Sequence, residues 1–151
     1  MNTTKKLCVF LLCTITGCTD YSSNELDLTC YDCGTQMPDL SQYTQLQYLT
    51  LNGRTDVDLA TVVAQAPNLR GLKLRATNVT DLTPLKSLKQ LESLVVRETQ
   101  VTDITPLADL LELNYLNIVS SPVADLGPLS KLPNLRLEGN PVELDCNANR
   151  K

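Results

Sequence analysis

The chain has 151 residues, which is enough for one domain with a single core and too few for two comfortable ones. Its formal net charge is −4 and its 13 basic residues are scattered, which argues against the basic patch of a nucleic-acid-binding protein. It contains no histidine, so the commonest general base and the commonest metal ligand are both missing. We therefore expect no catalysis, no metal site, no cofactor and no nucleic-acid partner.

Residues 1–17 have the layout of a signal peptide. Lys5 and Lys6 precede a short apolar run, Leu7 to Ile15, and the small residue Gly17 follows. The run is about half of the ~20 apolar residues that a membrane-spanning helix needs, which favours cleavage over a permanent transmembrane anchor. Residues 1–17 are therefore predicted to be absent from the mature protein.

The junction Ile15-Thr16-Gly17-Cys18 resembles the lipobox of bacterial lipoproteins. That resemblance implies that Cys18 receives a lipid, becomes the first mature residue and anchors the protein in the bacterial cell envelope. Thr19, rather than Asp, after the cysteine implies the outer membrane, on its periplasmic or its surface side. Residues 18–23 would then be the lipidated cysteine and a short polar linker. The alternative is an ordinary signal peptide followed by a chance cysteine.

Three consecutive blocks of 22 residues share one pattern. They read LRGLKLRATNVTDLTPLKSLKQ from Leu69, LESLVVRETQVTDITPLADLLE from Leu91 and LNYLNIVSSPVADLGPLSKLPN from Leu113, with apolar residues at places 1, 4, 6, 11, 14, 17 and 20. A looser 23-residue copy begins at Leu46, a degenerate copy occupies 24–45, and the shortened copy LRLEGNPVEL closes the pattern. Such repetition indicates a solenoid, in which each repeat buries its apolar face against its neighbours.

The pattern resembles the leucine-rich-repeat family, in particular the short repeats of bacterial internalins and of a eukaryotic phosphatase-regulatory subunit. The resemblance covers residues 24–144. It implies an α/β solenoid, a leucine-rich-repeat arc with a parallel sheet on the concave face and short helical or 3₁₀ turns on the convex face. The domain is expected to span 24–146 including its terminal caps, and a polar tail follows at 147–151.

The recurring places predict the buried side chains of the strands. Alternate residues of each L-x-x-L-x-L segment should point into the core of a stack of about five strands. The predicted buried pairs are Leu72 and Leu74, Leu94 and Val96, and Leu116 and Ile118.

The loops between strand and convex turn carry recurring polar residues. Hydroxyl groups at place 9 are expected to bond backbone groups where the chain leaves the sheet, at Thr77, Thr99 and Ser121. Prolines suit the first position of the convex turns, at Pro84, Pro106 and Pro128. The residues before them are predicted to be N-caps, at Thr83, Thr105 and Gly127.

One aspartate per repeat forms a column of Asp58, Asp81, Asp103 and Asp125. A ladder of calcium ligands is one interpretation, but calcium normally needs several oxygens that converge on one point. We favour the alternative, in which each carboxylate accepts backbone N–H bonds in its own loop.

Besides Cys18, the mature chain has Cys30, Cys33 and Cys146. Cys146 should lie over ~20 Å from Cys30 across a stack of strands spaced ~4.8 Å, far beyond disulfide reach. A Cys30–Cys33 disulfide in the N-terminal cap is therefore the only plausible intrachain pair. The C-x-x-C spacing could instead serve redox chemistry, but it lacks a βαβ context, and two thiols without histidine rarely form a zinc site.

The outward-facing residues of the strands are the best candidates for a binding site. A basic centre of Lys73, Arg75 and Arg97 is expected between two tyrosines, with apolar valines beside it. Aromatic and arginine anchors are typical of protein interfaces. The predicted partner-binding residues are Tyr48, Lys73, Arg75, Val95, Arg97, Tyr115, Asn117 and Val119.

The sequence thus predicts a monomeric, lipid-anchored envelope module that binds a protein through its concave face, in adhesion or in the inhibition of another protein. The alternative is a structural or assembly component of an envelope complex, in which Leu111 or Cys146 contributes to contacts between chains.

Overall fold

The computed structural model describes residues 24–29 and 37–139. In that part of the chain, six short strands form one parallel sheet in sequence order. They are β1 (Glu25–Asp27), β2 (Tyr48–Thr50), β3 (Gly71–Lys73), β4 (Ser93–Val95), β5 (Tyr115–Asn117) and β6 (Arg136–Glu138). The expected stack of about five strands was one strand short, because the shortened last copy of the repeat also contributes a strand.

The register of the sheet aligns one core leucine from every repeat. The aligned residues are Leu26, Leu49, Leu72, Leu94, Leu116 and Leu137. The first five are at most 1% exposed, whereas Leu137 on the last strand is half-buried. The three predicted inward pairs are all buried, which confirms the assignment of faces along these strands.

The hydroxyl groups at place 9 bond the backbone as predicted. Thr77 donates to the carbonyl oxygen of Leu74 (3.2 Å) and Thr99 donates to that of Val96 (2.9 Å). Ser121 reaches back to the same Val96 oxygen of the preceding repeat, and its Oγ lies 3.0 Å from Oγ1 of Thr99. These buried hydroxyls therefore provide hydrogen-bond partners for backbone carbonyl groups at the place where the chain turns away from the sheet.

Within residues 37–139, the convex side consists of one α-helix and short 3₁₀ helices, as the repeat pattern predicted. The helix α1 spans Leu59–Gln65 and begins after the N-cap Asp58, whose carboxylate accepts from the N–H of Ala60. The 3₁₀ helices span Leu40–Gln42, Thr83–Ser87, Thr105–Leu107 and Gly127–Lys131. None of these helices is long and apolar enough to cross a membrane.

The predicted N-caps Thr83, Thr105 and Gly127 were wrong by one position. Each is the first residue of its 3₁₀ helix, the proline follows as the second residue, and the preceding Leu82, Ile104 or Leu126 occupies the cap position without a side-chain bond. The aspartate column supplies the missing acceptors: Asp81, Asp103 and Asp125 each accept the N–H two residues later at 2.8 Å. The interpretation of these aspartates as acceptors within their own loops is therefore confirmed.

The chain leaves the sheet through a left-handed residue in four successive repeats. These residues are Gly53, Ala76, Glu98 and Ser120, with φ between +53° and +72°. Their N–H groups continue the parallel ladder beyond the strands in at least three repeats, as for Glu98 N–H to the Val119 carbonyl (3.0 Å). This conformation directs the chain from the concave face into the buried hydroxyl turn, at a cost for residues other than glycine.

Several predicted features lie outside the described residues. They are the signal peptide 1–17, the linker 18–23 with Cys18, the cysteines Cys30, Cys33 and Cys146, and the tail 147–151.

Candidate functional site

The structure brings the predicted partner-binding residues together on the concave side of the sheet. The register places Tyr48, Gly71, Ser93 and Tyr115 in one row across the strands, and Lys73, Val95 and Asn117 in the next. Arg75, Arg97 and Val119 follow two residues later, at the turns that leave the sheet. Tyr48, Lys73 and Arg75 are exposed, whereas Val95, Arg97, Tyr115 and Val119 are half-buried.

A close approach between β2 and β3 positions the first tyrosine. The ring of Tyr48 lies over the backbone of Gly71, so that a β-carbon at residue 71 would be 2.6 Å from Cδ1 of the ring. No residue larger than glycine fits under the ring without displacing it. Ser93 is the next residue in the row and is small as well, so the two residues between Tyr48 and Tyr115 in the row both have little or no side chain.

The basic centre contains a carboxylate that the sequence interpretation missed. Glu98 accepts hydrogen bonds from Nε of Arg75 (3.2 Å to each carboxylate oxygen) and from Nε of Arg97 (3.1 Å). The hydrogen bond from Arg75 lowers the pKa of the Glu98 carboxyl; partial burial opposes the shift, and the charges of Arg75 and Arg97 reinforce it. Glu98 thus holds two neighbouring guanidinium groups in place, and these three side chains carry a net charge of only +1.

The left-handed conformation explains how Glu98 reaches both arginines. Its φ of +56° directs the side chain back along the edge of the concave face instead of into solvent on the far side of the turn. The sequence carries one indication of this geometry, because Gly53 occupies the equivalent place in the second repeat. A glycine at one copy of a repeated place suggests that the other copies share a positive φ.

A second network forms at the C-terminal end of the face. The hydroxyl of Tyr115 donates to Oε2 of Glu138 (2.8 Å), Nδ2 of Asn117 lies 3.1 Å from the same oxygen, and Arg136 binds the other carboxylate oxygen at 3.0 Å. The hydroxyl of Tyr115 makes the largest contribution to lowering the pKa of Glu138; partial burial raises it, and Arg136 and Asn117 lower it further. Tyr115 is therefore held in one orientation on the face.

The prediction that Asn117 contacts a partner needs correction. Asn117 is only 8% exposed, because its side chain is enclosed between the phenol of Tyr115 and Glu138 and its Oδ1 accepts the N–H of Val119 (3.1 Å). Asn117 therefore positions its neighbours and offers little surface to a partner. Glu138, which the sequence interpretation missed, could have been found by extending the strand pattern into the shortened last copy.

A cleft of about 480 Å³ lies at the N-terminal end of the convex side, beside α1. Its carboxylates are already bound: Asp39 accepts the N–H of Ser41, Asp58 caps α1, and Asp56 receives two bonds from Arg54 (2.9 and 2.7 Å). Arg54 is 5% exposed and occupies the place that a hydroxyl residue fills in later repeats. In residues 24–29 and 37–139 no three acidic or cysteine side chains converge as metal ligands would.

The sheet, the convex 3₁₀ turns and the repeated core positions define the class of protein, a leucine-rich-repeat solenoid. A leucine-rich-repeat family model, covering two repeat copies, matches residues 67–109. The chain is similar to an internalin, InlF, of Listeria monocytogenes, with 28% identity and a TM-score of 0.61 over 67% of this chain and 30% of that one.

Two further solved structures show the same likeness. Internalin C2 of Listeria monocytogenes is 29% identical over 70% of this chain and 47% of its own, with a TM-score of 0.63. A leucine-rich-repeat protein of Leptospira interrogans is 25% identical over 69% of this chain and 28% of its own, with a TM-score of 0.56. The chain thus spans less than half of the length of each of these structures. Comparison with curated protein sequences gives no significant match.

Proposed function

We propose that this protein is a binding module that recognises a protein partner through the concave face of its sheet. The observation that carries the proposal is the ordered set of side chains on that face. Tyr115 and the arginines Arg75 and Arg97 are each held by a carboxylate of the fold before any partner arrives. Fixing such anchors in advance lowers the entropy cost of association.

A capture experiment with matched variants tests the use of this face. The bait is the full chain in its own cells, as wild type and as the triple variant Arg75→Ala, Arg97→Ala, Tyr115→Ala. The control triple variant is Lys86→Ala, Lys89→Ala, Gln90→Ala. It removes three exposed side chains from the convex segment that connects β3 to β4. We expect one partner to be captured by wild type and control and lost with the first variant, while both variants keep a cooperative thermal transition. A partner retained by the concave-face variant would show that the site lies elsewhere.

We propose further that Cys18 anchors the module in the bacterial envelope through a lipid. The support is the lipobox-like sequence Ile15-Thr16-Gly17-Cys18. Metabolic labelling with a fatty-acid analogue should mark the wild-type chain and not a Cys18→Ser variant, and the label should fractionate with the outer membrane. Equal labelling of both chains would contradict this assignment.

A role in the assembly of an envelope complex is a second candidate, and one exposed residue favours it. Leu111 is 66% exposed in the turn that returns the chain from the convex side to β5. If Leu111 forms a contact between copies of the chain, the sedimentation coefficient should depend on protein concentration. Leu111→Glu should then abolish that dependence. A wild-type chain that sediments as a monomer at all concentrations would contradict the assembly role and agree with the binding module.

A further inference from the structure

The charges on the concave face follow an order along one row of the sheet. The row consists of Asp27, Thr50, Lys73, Val95, Asn117 and Glu138. Its two ends are acidic and already bound. Asp27 accepts the N–H and the hydroxyl of Thr29 (2.9 and 2.6 Å), and Glu138 belongs to the network around Tyr115. The remaining charged residue of the row is the basic Lys73, near its centre.

Two cationic groups at the centre have donors without partners. The side-chain ammonium of Lys73 is exposed and makes no hydrogen bond or ion pair with any residue of 24–29 or 37–139. Arg97 binds Glu98 through Nε alone, which leaves its two terminal amino groups without partners among the same residues. Lys73 ends β3, and Arg97 follows two residues after its register partner Val95 at the end of β4, so the Cα atoms of Lys73 and Arg97 are roughly 8 Å apart. One carboxylate of a partner can therefore bind both the ammonium of Lys73 and the terminal amino groups of Arg97.

An apolar contact lies directly beside these donors. Val95 is level with Lys73 in the register and precedes Arg97 by two residues on the same face. It follows Ser93 on β4 by two residues, and the row of Ser93 has Gly71 with the ring of Tyr48 on one side and the fixed ring of Tyr115 on the other. An aliphatic side chain of a partner can pack on Val95 beside the small Ser93.

We propose that the concave face selects a protein segment in which a carboxylate side chain stands next to an aliphatic one. The carboxylate binds Lys73 and the terminal amino groups of Arg97, and the aliphatic side chain packs on Val95 above Ser93. This inference rests on the proposed function and adds to it the chemistry of the partner. Bound carboxylates at both ends of the row repel a continuous polyanion and fix the position of a single acidic group.

Selection from a random peptide display library against the folded full chain tests this proposal without a known partner. Peptides that bind should be enriched in Asp or Glu next to Leu, Ile or Val. Lys73→Glu and Arg97→Glu should each weaken the best peptide by about tenfold or more, and raised salt should weaken it as well. Lys89→Glu, the same charge reversal at an exposed residue outside the sheet, should leave binding unchanged. A peptide with its acidic residue changed to Lys should regain affinity for Lys73→Glu.

Val95→Arg separates the possible failures. If the selected peptides lose binding in Val95→Arg but lack acidic residues, or ignore Lys73→Glu, the face binds proteins and the proposed carboxylate selection is wrong. If no peptide binds, or none responds to Val95→Arg in a chain that still unfolds cooperatively, the concave-face function itself is contradicted.

Discussion

Tyr48 on β2 and Gly71 on β3 are a matched pair: the aromatic ring occupies the space that a β-carbon at residue 71 would require, with only 2.6 Å between that position and Cδ1. The ring is 39% exposed, so it is held by the glycine beneath it and not by burial in the core. A glycine in a strand normally weakens the strand, but here it allows close approach of a side chain from the neighbouring strand.

Gly71→Ala should displace the ring of Tyr48 from the concave face. We expect a destabilisation of about 1 kcal/mol from local overpacking, since an exposed ring can move away. Thermal unfolding measures this cost, and the ring proton shifts of Tyr48 report its movement. In a Tyr48→Ala background the same substitution should cost much less, because the clash is absent. Equal costs in the two backgrounds would show that the ring does not depend on Gly71.

Thr99→Val tests the buried hydroxyl turn. The hydroxyl of Thr99 donates to the Val96 carbonyl and lies 3.0 Å from the hydroxyl of Ser121, and all of these groups are buried. Replacing it with a methyl group should lower the free energy of unfolding by about 1–3 kcal/mol, since buried polar partners remain unsatisfied. The exposed Thr102→Val in the same repeat should change it by less than about 0.5 kcal/mol. Denaturant titration measures both values, and similar effects at the two sites would contradict the assigned role.

Ala76→Gly should stabilise the protein. Ala76 has a φ of +53°, a conformation that costs an L-residue about 1–2 kcal/mol, whereas glycine adopts it without steric strain. The greater chain entropy of glycine in the unfolded state offsets about 0.5–1 kcal/mol of this gain. Ala124→Gly, at an exposed residue outside the left-handed column, should destabilise the protein instead. Urea unfolding of the two variants distinguishes them, and a loss of stability in both would contradict the strain at residue 76.

Acid should destabilise the fold through the loop aspartates. Hydrogen bonds from Thr83 and Thr105 lower the pKa of Asp81 and Asp103 below the ordinary value of 3.8. A lowered folded-state pKa contributes stability that is present above the unfolded value and is lost as the pH falls through the folded value. The melting temperature should therefore fall below about pH 4.

A pair of variants assigns this acid sensitivity to the loops. Asp103→Asn keeps an acceptor but cannot gain a proton, so its melting temperature should depend less on pH below 4 than that of wild type. Asp109→Asn changes an exposed aspartate that has no hydrogen-bond partner in the described chain, and its acid profile should match wild type. An unchanged profile in Asp103→Asn would exclude this loop as a source of the effect.

The repeat pattern allowed the strands and the core to be predicted because each place in the repeat has one physical environment. The equivalent pairs Leu72 and Leu74, and Leu94 and Val96, are buried for the same reason. A wrong assignment of the buried face in one repeat would therefore have disagreed with the other repeats. Prediction failed where residues depart from the repeat. The last strand was missed as a strand because its copy is truncated, and the N-caps were misplaced because both Asp81 and Thr83 are suitable residue types.

The charge balance of the site could not be read from the strand alternation. Alternation places Arg75 and Arg97 on the concave face correctly, but it also directs attention away from Glu98, which lies beyond the strand. Only the positive φ of Glu98 returns its carboxylate to the face. The burial of Asn117 was missed for a related reason, since it depends on Glu138 of the following strand.

Because Glu98 accepts hydrogen bonds from Arg75 and Arg97, its carboxylate competes with any external anion for these two guanidinium groups. Any anion that approaches these guanidinium groups through Nε must displace a carboxylate that is tethered beside them and therefore competes at a high effective concentration. A dissolved anion is therefore disfavoured at Nε, and a partner binds when its other contacts on the face bring its carboxylate to the donors that Glu98 leaves open, on Lys73 and on the terminal amino groups of Arg97.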